Sequence, residues 1–159
     1  MKKTNAGFTL TELMVTLTIV GLLGALAMSS VDKSALNLSS GAQDLMANLR
    51  IARANANGRG VHFRVTMGTS SYTIQRLKQD NAGNWIVDTA FPTQTVKAPR
   101  GISFSVTHGD GVIEFDTRGL VVPPAGQTVA EIEAIRISDS IINRAQNLNV
   151  WPSGQVLEV

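Results

Sequence analysis

Three hydrophobic rhythms follow one another along the chain. From Leu13 to Val31 nineteen residues pass without a charge, and apolar and small side chains dominate. Beyond Asp32 the apolar positions narrow to a stripe. Ala35, Leu38, Ala42, Leu45, Leu49, Ala52 and Ala56 recur at spacings of 3, 4, 3, 4, 3 and 4, which places them on one face of a helix. Asn57-Gly58 then predicts the helix stop. After Gly60 the period falls to two, with Val61, Phe63, Val65 and Met67 alternating against polar neighbours. Strands are expected over Val61–Met67, Ser71–Leu77, Trp85–Val87, Ile102–Val106, Val112–Phe115, Glu131–Ser138, Asn147–Trp151 and Gln155–Val159. Clusters of Gly, Pro, Asn and Asp separate them, and Pro123–Gly126 reads as an exposed loop. The pattern predicts one helix from about Phe8 to Asn57, about 75 Å long at 1.5 Å per residue. Its second half would pack on antiparallel strands, giving an α+β domain.

Composition changes this picture little until it is located. The 159 residues suffice for one domain, with 43% apolar and only 16% charged residues. The net charge of +2 is carried by Lys2 and Lys3, since the remaining chain has twelve basic and twelve acidic side chains. Global charge therefore predicts no nucleic-acid partner. With no cysteine, disulfides, thiolate metal sites and thiol nucleophiles are excluded.

The N-terminus carries the most specific chemistry. Met1-Lys2-Lys3 is a positive start, Thr4 to Gly7 is small and polar, and the apolar run follows. A secretory signal peptide opens in the same way, but its apolar stretch is only about 7 to 15 residues. The run here approaches the roughly 20 residues of a membrane-spanning helix. Gly21, Gly24, Ala25 and Ala27 suit close helix–helix contact, and the two lysines place the N-terminus on the cytoplasmic side. Glu12 breaks the run five positions after Gly7. An acid at membrane depth is expensive and marks function by default, and it needs a cation. Cleavage after Gly7 would supply one, as a new α-amino group on Phe8.

Lys2-Lys3 with Gly7-Phe8-Thr9-Leu10-Thr11-Glu12-Leu13 resembles the leader junction of type IV pilins and pseudopilins. The resemblance implies the pilin fold, in which a long transmembrane stem helix packs on an antiparallel sheet. It implies a class III leader at 1–7, a transmembrane and filament-core helix at 8–31, and a helix continuation with a globular β domain at 32–159. It further implies cutting between Gly7 and Phe8 by a prepilin peptidase, N-methylation of Phe8, and pairing of Glu12 with the N-terminal amine of a neighbouring subunit. The implied partners are other pilins in a helical filament and an inner-membrane assembly platform. The chain would be a single-pass inner-membrane protein with a periplasmic domain before assembly into a pilus or pseudopilus. Many pilins have a proline where this chain has Ser29. Without it the stem is expected to be more continuously helical, or to weaken at Gly21 and Gly24 instead.

Gly58–Val65, Ile113 to Leu120 and Val150 to Val156 resemble a subgroup: the H-type minor pseudopilins of type II secretion and the FimT/FimU-type minor pilins. Some FimT-type minor pilins are DNA receptors for natural transformation, which makes DNA the alternative partner. Arg50, Arg53, Arg59, Arg64, Arg76 and Lys78 lie between Leu45 and Gln79 without an intervening acid, a composition that can bind phosphates. The family's DNA-binding signature is an arginine-rich Gly-Arg-x-Arg near the C-terminus, and the matching stretch, Gly154 to Val159, has no arginine. Asp110, Glu114, Asp116, Glu131, Glu133 and Asp139 form a later acidic segment. Opposite patches on one subunit suit head-to-tail assembly, so subunit contact is the preferred reading, with Arg64 and Arg76 expected to face solvent.

Nothing else carries chemistry. His62 and His108 are 46 residues apart and read as a solvated strand histidine and a turn histidine, so no metal site is expected. His108-Gly109-Asp110-Gly111 reads as a hairpin turn, not a phosphate loop, because no helix follows it. There is no nucleophile-elbow pattern, so neither a catalytic residue nor a cofactor is expected, and the chain is read as a non-enzyme.

Overall fold

A computed structural model describes residues 9–29, 33–123 and 132–159. The chain divides into two compact units, Met1–Lys33 and Ser34–Val159. In the first, α1 spans Leu10–Ser29 and is helical through Gly21 and Gly24. Its apolar side chains from Leu10 to Leu23 are all exposed.

The second helix, α2, spans Lys33–Arg59 and from Ser34 onward belongs to the second unit. Of the helix expected from Phe8 to Asn57, the structure describes Leu10–Ser29 and Lys33 onward as helical, and Phe8 and residues 30–32 lie outside the described residues. The stop also falls later than Asn57-Gly58. Gly58 stays helical, and Gly60 ends the helix at φ 64°, its N–H donating to the Ala56 carbonyl at 3.0 Å. A left-handed residue at that position is the usual helix terminator, and glycine adopts it without a Cβ penalty.

Nine strands follow: β1 Phe63–Met67, β2 Ser71–Gln79, β3 Trp85–Val87, β4 Gln94–Lys97, β5 Ile102–His108, β6 Val112–Phe115, β7 Glu133–Asp139, β8 Arg144–Val150 and β9 Val156–Glu158. They form two antiparallel sheets. One has the order β3-β2-β1-β6, with β4 also on β2; the other has the order β5-β7-β8-β9. β4 was not expected, because Gln94-Thr95-Val96-Lys97 offers one apolar residue and no alternation. Ladder bonds to β2 hold it instead, from Ser71↔Lys97 to Ile74↔Gln94. The Pro123–Gly126 loop lies outside any strand at Pro123 and outside the described residues beyond it, as does Glu131.

The helical stripe of α2 meets both sheets in one core. Leu38, Ala42, Leu45, Leu49, Ala52 and Ala56 are buried with Phe63, Val65, Tyr72, Ile74, Phe104, Ile113, Phe115, Ile135, Ile137, Leu148 and Val150, while Ala35 is half-buried. Full burial of each Leu, Ile, Val or Phe among them stabilises by about 1.5–3 kcal/mol, before entropy is counted. Asn48 donates to the Tyr72 hydroxyl at 2.7 Å, so the ring is buried without orphaning its polar end.

The segment His108–Gly111 is not a hairpin. It carries the chain from β5 in one sheet to β6 in the other. The buried Glu133 carboxylate holds this crossing, accepting from Gly111 N–H at 3.2 Å and Asp110 N–H at 3.4 Å. Gly109 has φ 94°, and a Cβ there would strike the Glu133 carboxylate. Burial pushes the Glu133 carboxyl above its usual value, against the two amides that lower it.

Candidate functional site

The implied cleavage site, Gly7 and Phe8, lies outside the described residues, but the turn that follows it is defined. Thr9 is the N-cap of α1: its hydroxyl accepts from Glu12 N–H at 3.3 Å, and its carbonyl accepts from Leu13 N–H at 3.1 Å. Glu12 reaches back, its Oε2 lying 3.5 Å from Thr9 N and 3.4 Å from Thr9 Oγ1. Thr9-Leu10-Thr11-Glu12 is thus a capping box, a signature present in the sequence as T-x-x-E and unread there. Both contacts to the carboxylate exceed ordinary hydrogen-bond lengths. Among the described residues Glu12 Oε1 has no partner and no cation approaches the acid.

Two further hydroxyls of this helix bond its own backbone. Thr16 Oγ1 donates to the carbonyls of Glu12 and Leu13 at 3.0 and 2.9 Å. Thr18 Oγ1 donates to those of Met14 and Val15 at 2.7 and 2.9 Å. Hydroxyls satisfied by their own backbone can enter an apolar medium without an orphan donor. From Leu13 to Leu23 the helix therefore presents an apolar surface, and Glu12 is its exception. No helix among the described residues is long and apolar enough to cross a membrane, and the described side chains of α1 end at Leu23.

The six cations expected to form one basic face do not share one face. Arg64 and Arg76 are half-buried rather than solvent-facing, with 33% and 25% of their side chains exposed. The register Phe63↔Arg76 and Arg64↔Gln75 puts them on opposite faces of the sheet. Arg64 binds Glu114 through Nε at 3.0 Å and Nη2 at 2.7 Å. His62 Nδ1 lies 2.7 Å from the other Glu114 oxygen, and its ring stacks on Trp85 at 3.8 Å. His62 is thus buried, not solvated, because a carboxylate and an indole enclose it. On the other face Arg76 clasps Asp88 through two nitrogens, Nε at 2.9 Å, and Lys78 Nζ lies 3.7 Å from the second oxygen. The Arg76 hydrogen bond holds the Asp88 carboxyl below the usual carboxylate range.

Arg50, Arg53 and Arg59, on the last turns of α2, have no carboxylate partner among the described residues. Arg50 donates to the Val156 carbonyl at 3.4 Å and Arg53 to the Gly119 carbonyl at 3.0 Å. The Arg53 corner joins two segments singled out in the sequence, the Ile113–Leu120 turn and the final hairpin. Gly119 and Gly154 both sit at φ 76°, and a Cβ on Gly154 would strike the Gly119 carbonyl and the Arg53 side chain. Asp116 builds the turn, accepting from Arg118 and Leu120 N–H at 2.8 and 2.9 Å. Burial opposes its charge, but these amides and the Arg118 guanidinium prevail and lower its carboxyl. Most of the later acids are engaged within the subunit too. Glu114 and Asp116 are ion-paired, Glu133 and the buried Asp139 accept backbone N–H groups, and Glu131 lies outside the described residues.

Residues 2–28 match the prokaryotic N-terminal methylation motif. Among solved structures, the type IV minor pilin FimU of Pseudomonas aeruginosa shares the fold at a TM-score of 0.56 and 17% identity, over 77% of this chain and 87% of that one. The minor pseudopilin EpsH of the Vibrio cholerae type 2 secretion system matches at a TM-score of 0.54 and 13% identity, over 77% of this chain and 96% of that one. No curated protein matches the sequence. At these identities the structures speak for fold, and the motif speaks for the N-terminus. The chain thus carries the prokaryotic N-terminal methylation motif and shares its domain fold with a minor pilin and a minor pseudopilin.

Proposed function

We propose that the chain is a structural, non-enzymatic subunit, a minor pilin or pseudopilin of a type IV pilus or type II secretion pseudopilus, within the H-type subgroup. The observation that carries this reading is the pairing of the methylation motif with a helix whose described apolar side chains are all exposed. In this reading a prepilin peptidase cuts between Gly7 and Phe8, and Phe8 is methylated. Residues 8–31 anchor the protein in the inner membrane, the domain stays periplasmic, and an assembly platform passes the subunit to other pilins. Internal bonding of Thr16 and Thr18 fits the helix for lipid or a filament core. The loosely held Glu12 can exchange its capping contacts for the amine of a neighbour.

Glu12→Ala tests the pairing role. The variant should be cleaved and should keep its folded domain, yet be depleted from sheared filaments relative to its membrane pool. Normal incorporation would overturn the role. The DNA-receptor alternative draws less support from the charges, since Arg64, Arg76 and Lys78 already face carboxylates. A gel shift at physiological salt should show no sub-micromolar duplex binding, and salt-sensitive binding in that range would reverse the preference.

A further inference from the structure

On its core-facing side the first sheet, with Phe63, Ile74 and Arg76, meets the last turn of α2 at Asn55 and Arg59. A groove of about 480 Å³ opens at this place, lined by Arg59, Phe63, Ile74, Arg76, Phe91 and Gln94, among others. That size falls within the range of ordinary ligand sites. Its floor is apolar, with Phe63 and Ile74 at the margin of the core. Its wall is built by the turn after β3. Asp88 is 3% exposed and fixes this turn, accepting from Ala90 N–H at 3.1 Å through its side chain and from Phe91 N–H at 3.0 Å through its carbonyl. Phe91 is thereby set over the Arg76 guanidinium at 3.7 Å, with Arg59 at 5.9 Å from the same ring, and remains 41% exposed. An exposed phenylalanine held by a locked turn is a presented contact, and preformed contacts lower the ordering cost of binding.

Charge and edge geometry decide what the groove can take. Around the Phe91 turn three cations, Arg59, Arg76 and Lys78, stand against one carboxylate, Asp88. Arg59 makes its ring contact but has no carboxylate partner among the described residues. Gln94 opens β4, which pairs with β2 on one side and with no strand on the other among the described residues. An extended chain can add to that edge by main-chain hydrogen bonds and place alternate side chains into the groove. From this we infer that the groove is a docking site for an extended acidic segment of a partner protein, with an apolar side chain on Phe63, Ile74 and Phe91 and a carboxylate on Arg59. A nucleic acid fits less well, because its phosphates would find one cation free of carboxylate partners at this place. The inference goes beyond the filament reading and does not rest on it.

The probe is a six-residue peptide of alternating leucine and glutamate, titrated into the full-length protein in detergent and followed by amide chemical shifts. Expected are saturable shifts at Phe91, Arg59 and Gln94, and affinity weakened about tenfold by Arg59→Glu, as for a charge pair at an interface. Phe91→Ser, in an exposed turn, should weaken it similarly, and Arg59→Lys should retain part of it. Spectra of each free variant matching the parent outside the groove establish that the fold is intact. A leucine–lysine peptide of the same pattern should not bind. Absence of shifts at millimolar peptide, equal binding of the lysine peptide, or displacement of the glutamate peptide by a short DNA duplex would each overturn the proposal.

Discussion

The two helices are built from similar residues and answer opposite demands. In α2 three of the four leucines, Leu38, Leu45 and Leu49, lie on one face and are nearly or fully buried, while Leu36 is exposed. In α1 apolar residues lie on every face, and Leu13, Leu17, Val20 and Leu22 are all more than half exposed. A helix apolar all round is stable only inside something else, a bilayer or a bundle of other helices. The second helix finishes a fold, whereas the first leaves its described apolar side chains exposed. Where the two carry polar groups shows the same division. α2 sends Asn48 to Tyr72 and Arg53 to the Gly119 turn, while in α1 Thr16 and Thr18 return their hydroxyls to the helix's own carbonyls.

The contrast breaks first under cavity mutations. Leu49→Ala should lower the domain's unfolding free energy by about 2–5 kcal/mol in urea titration, since no solvent reaches the deleted atoms. Leu17→Ala in α1 should leave that titration unchanged and act on membrane retention and filament entry alone. Equal effects on domain stability would mean that the helices are not so divided. Next comes Gly154→Ala, which forces a Cβ into the Arg53–Gly119 corner at positive φ and should cost about 1–3 kcal/mol. The corner ties α2 to the sheet ends, so the loss should appear in the same unfolding transition.

Acid stability sharpens the comparison within the domain. Asp88, held down by Arg76, and Asp116, held down by backbone amides against its burial, have folded values below their usual ones. Their stabilisation is present above the unfolded value of about 3.9 and is lost as pH falls through the depressed folded values. Glu133 has the opposite sign. Burial raises its folded value, so its contribution is present below the unfolded value of about 4.3 and is lost as pH rises through the raised one. Urea midpoints between about pH 3 and 7 should show an acid limb that Asp88→Asn flattens, and Glu133→Gln should remove a loss on the rising side. The smallest effect belongs to the capping box. Thr9→Ala should expose the amide of Glu12, which loses the Thr9 hydroxyl, to faster hydrogen exchange without moving the domain transition, a local loss of about 0.5–2 kcal/mol.

Much of this division is legible in the residues. The stripe from Leu38 to Ala56 announces its burial by period, and the run from Leu13 to Leu23 announces its exposure by lacking one. Strands with alternation, such as Phe63–Met67 and Val112–Phe115, are readable for the same reason. What stays hidden depends on distant partners. β4 has no apolar pattern because β2 supplies its ladder, and His62 is buried only because Glu114 and Trp85 reach it from other strands. The basic run reads as one patch, but strand register sends Arg64 and Arg76 to opposite faces and gives each its own acid. The groove beside Phe91 follows from where α2 stops, and Gly60 rather than Gly58 sets that point. The capping box was available to sequence reading, since Thr9 and Glu12 stand three apart at the head of an apolar run.

The central claim, that α1 begins as the end of a processed subunit, is tested most directly by the intact mass of the protein extracted from membranes of cells expressing a prepilin peptidase. The account predicts a chain lacking residues 1–7 and carrying one added methyl group on Phe8, and a Gly7→Leu variant retained as the precursor. A mature N-terminus at any other residue, or a filament-borne chain that keeps Met1, would contradict it.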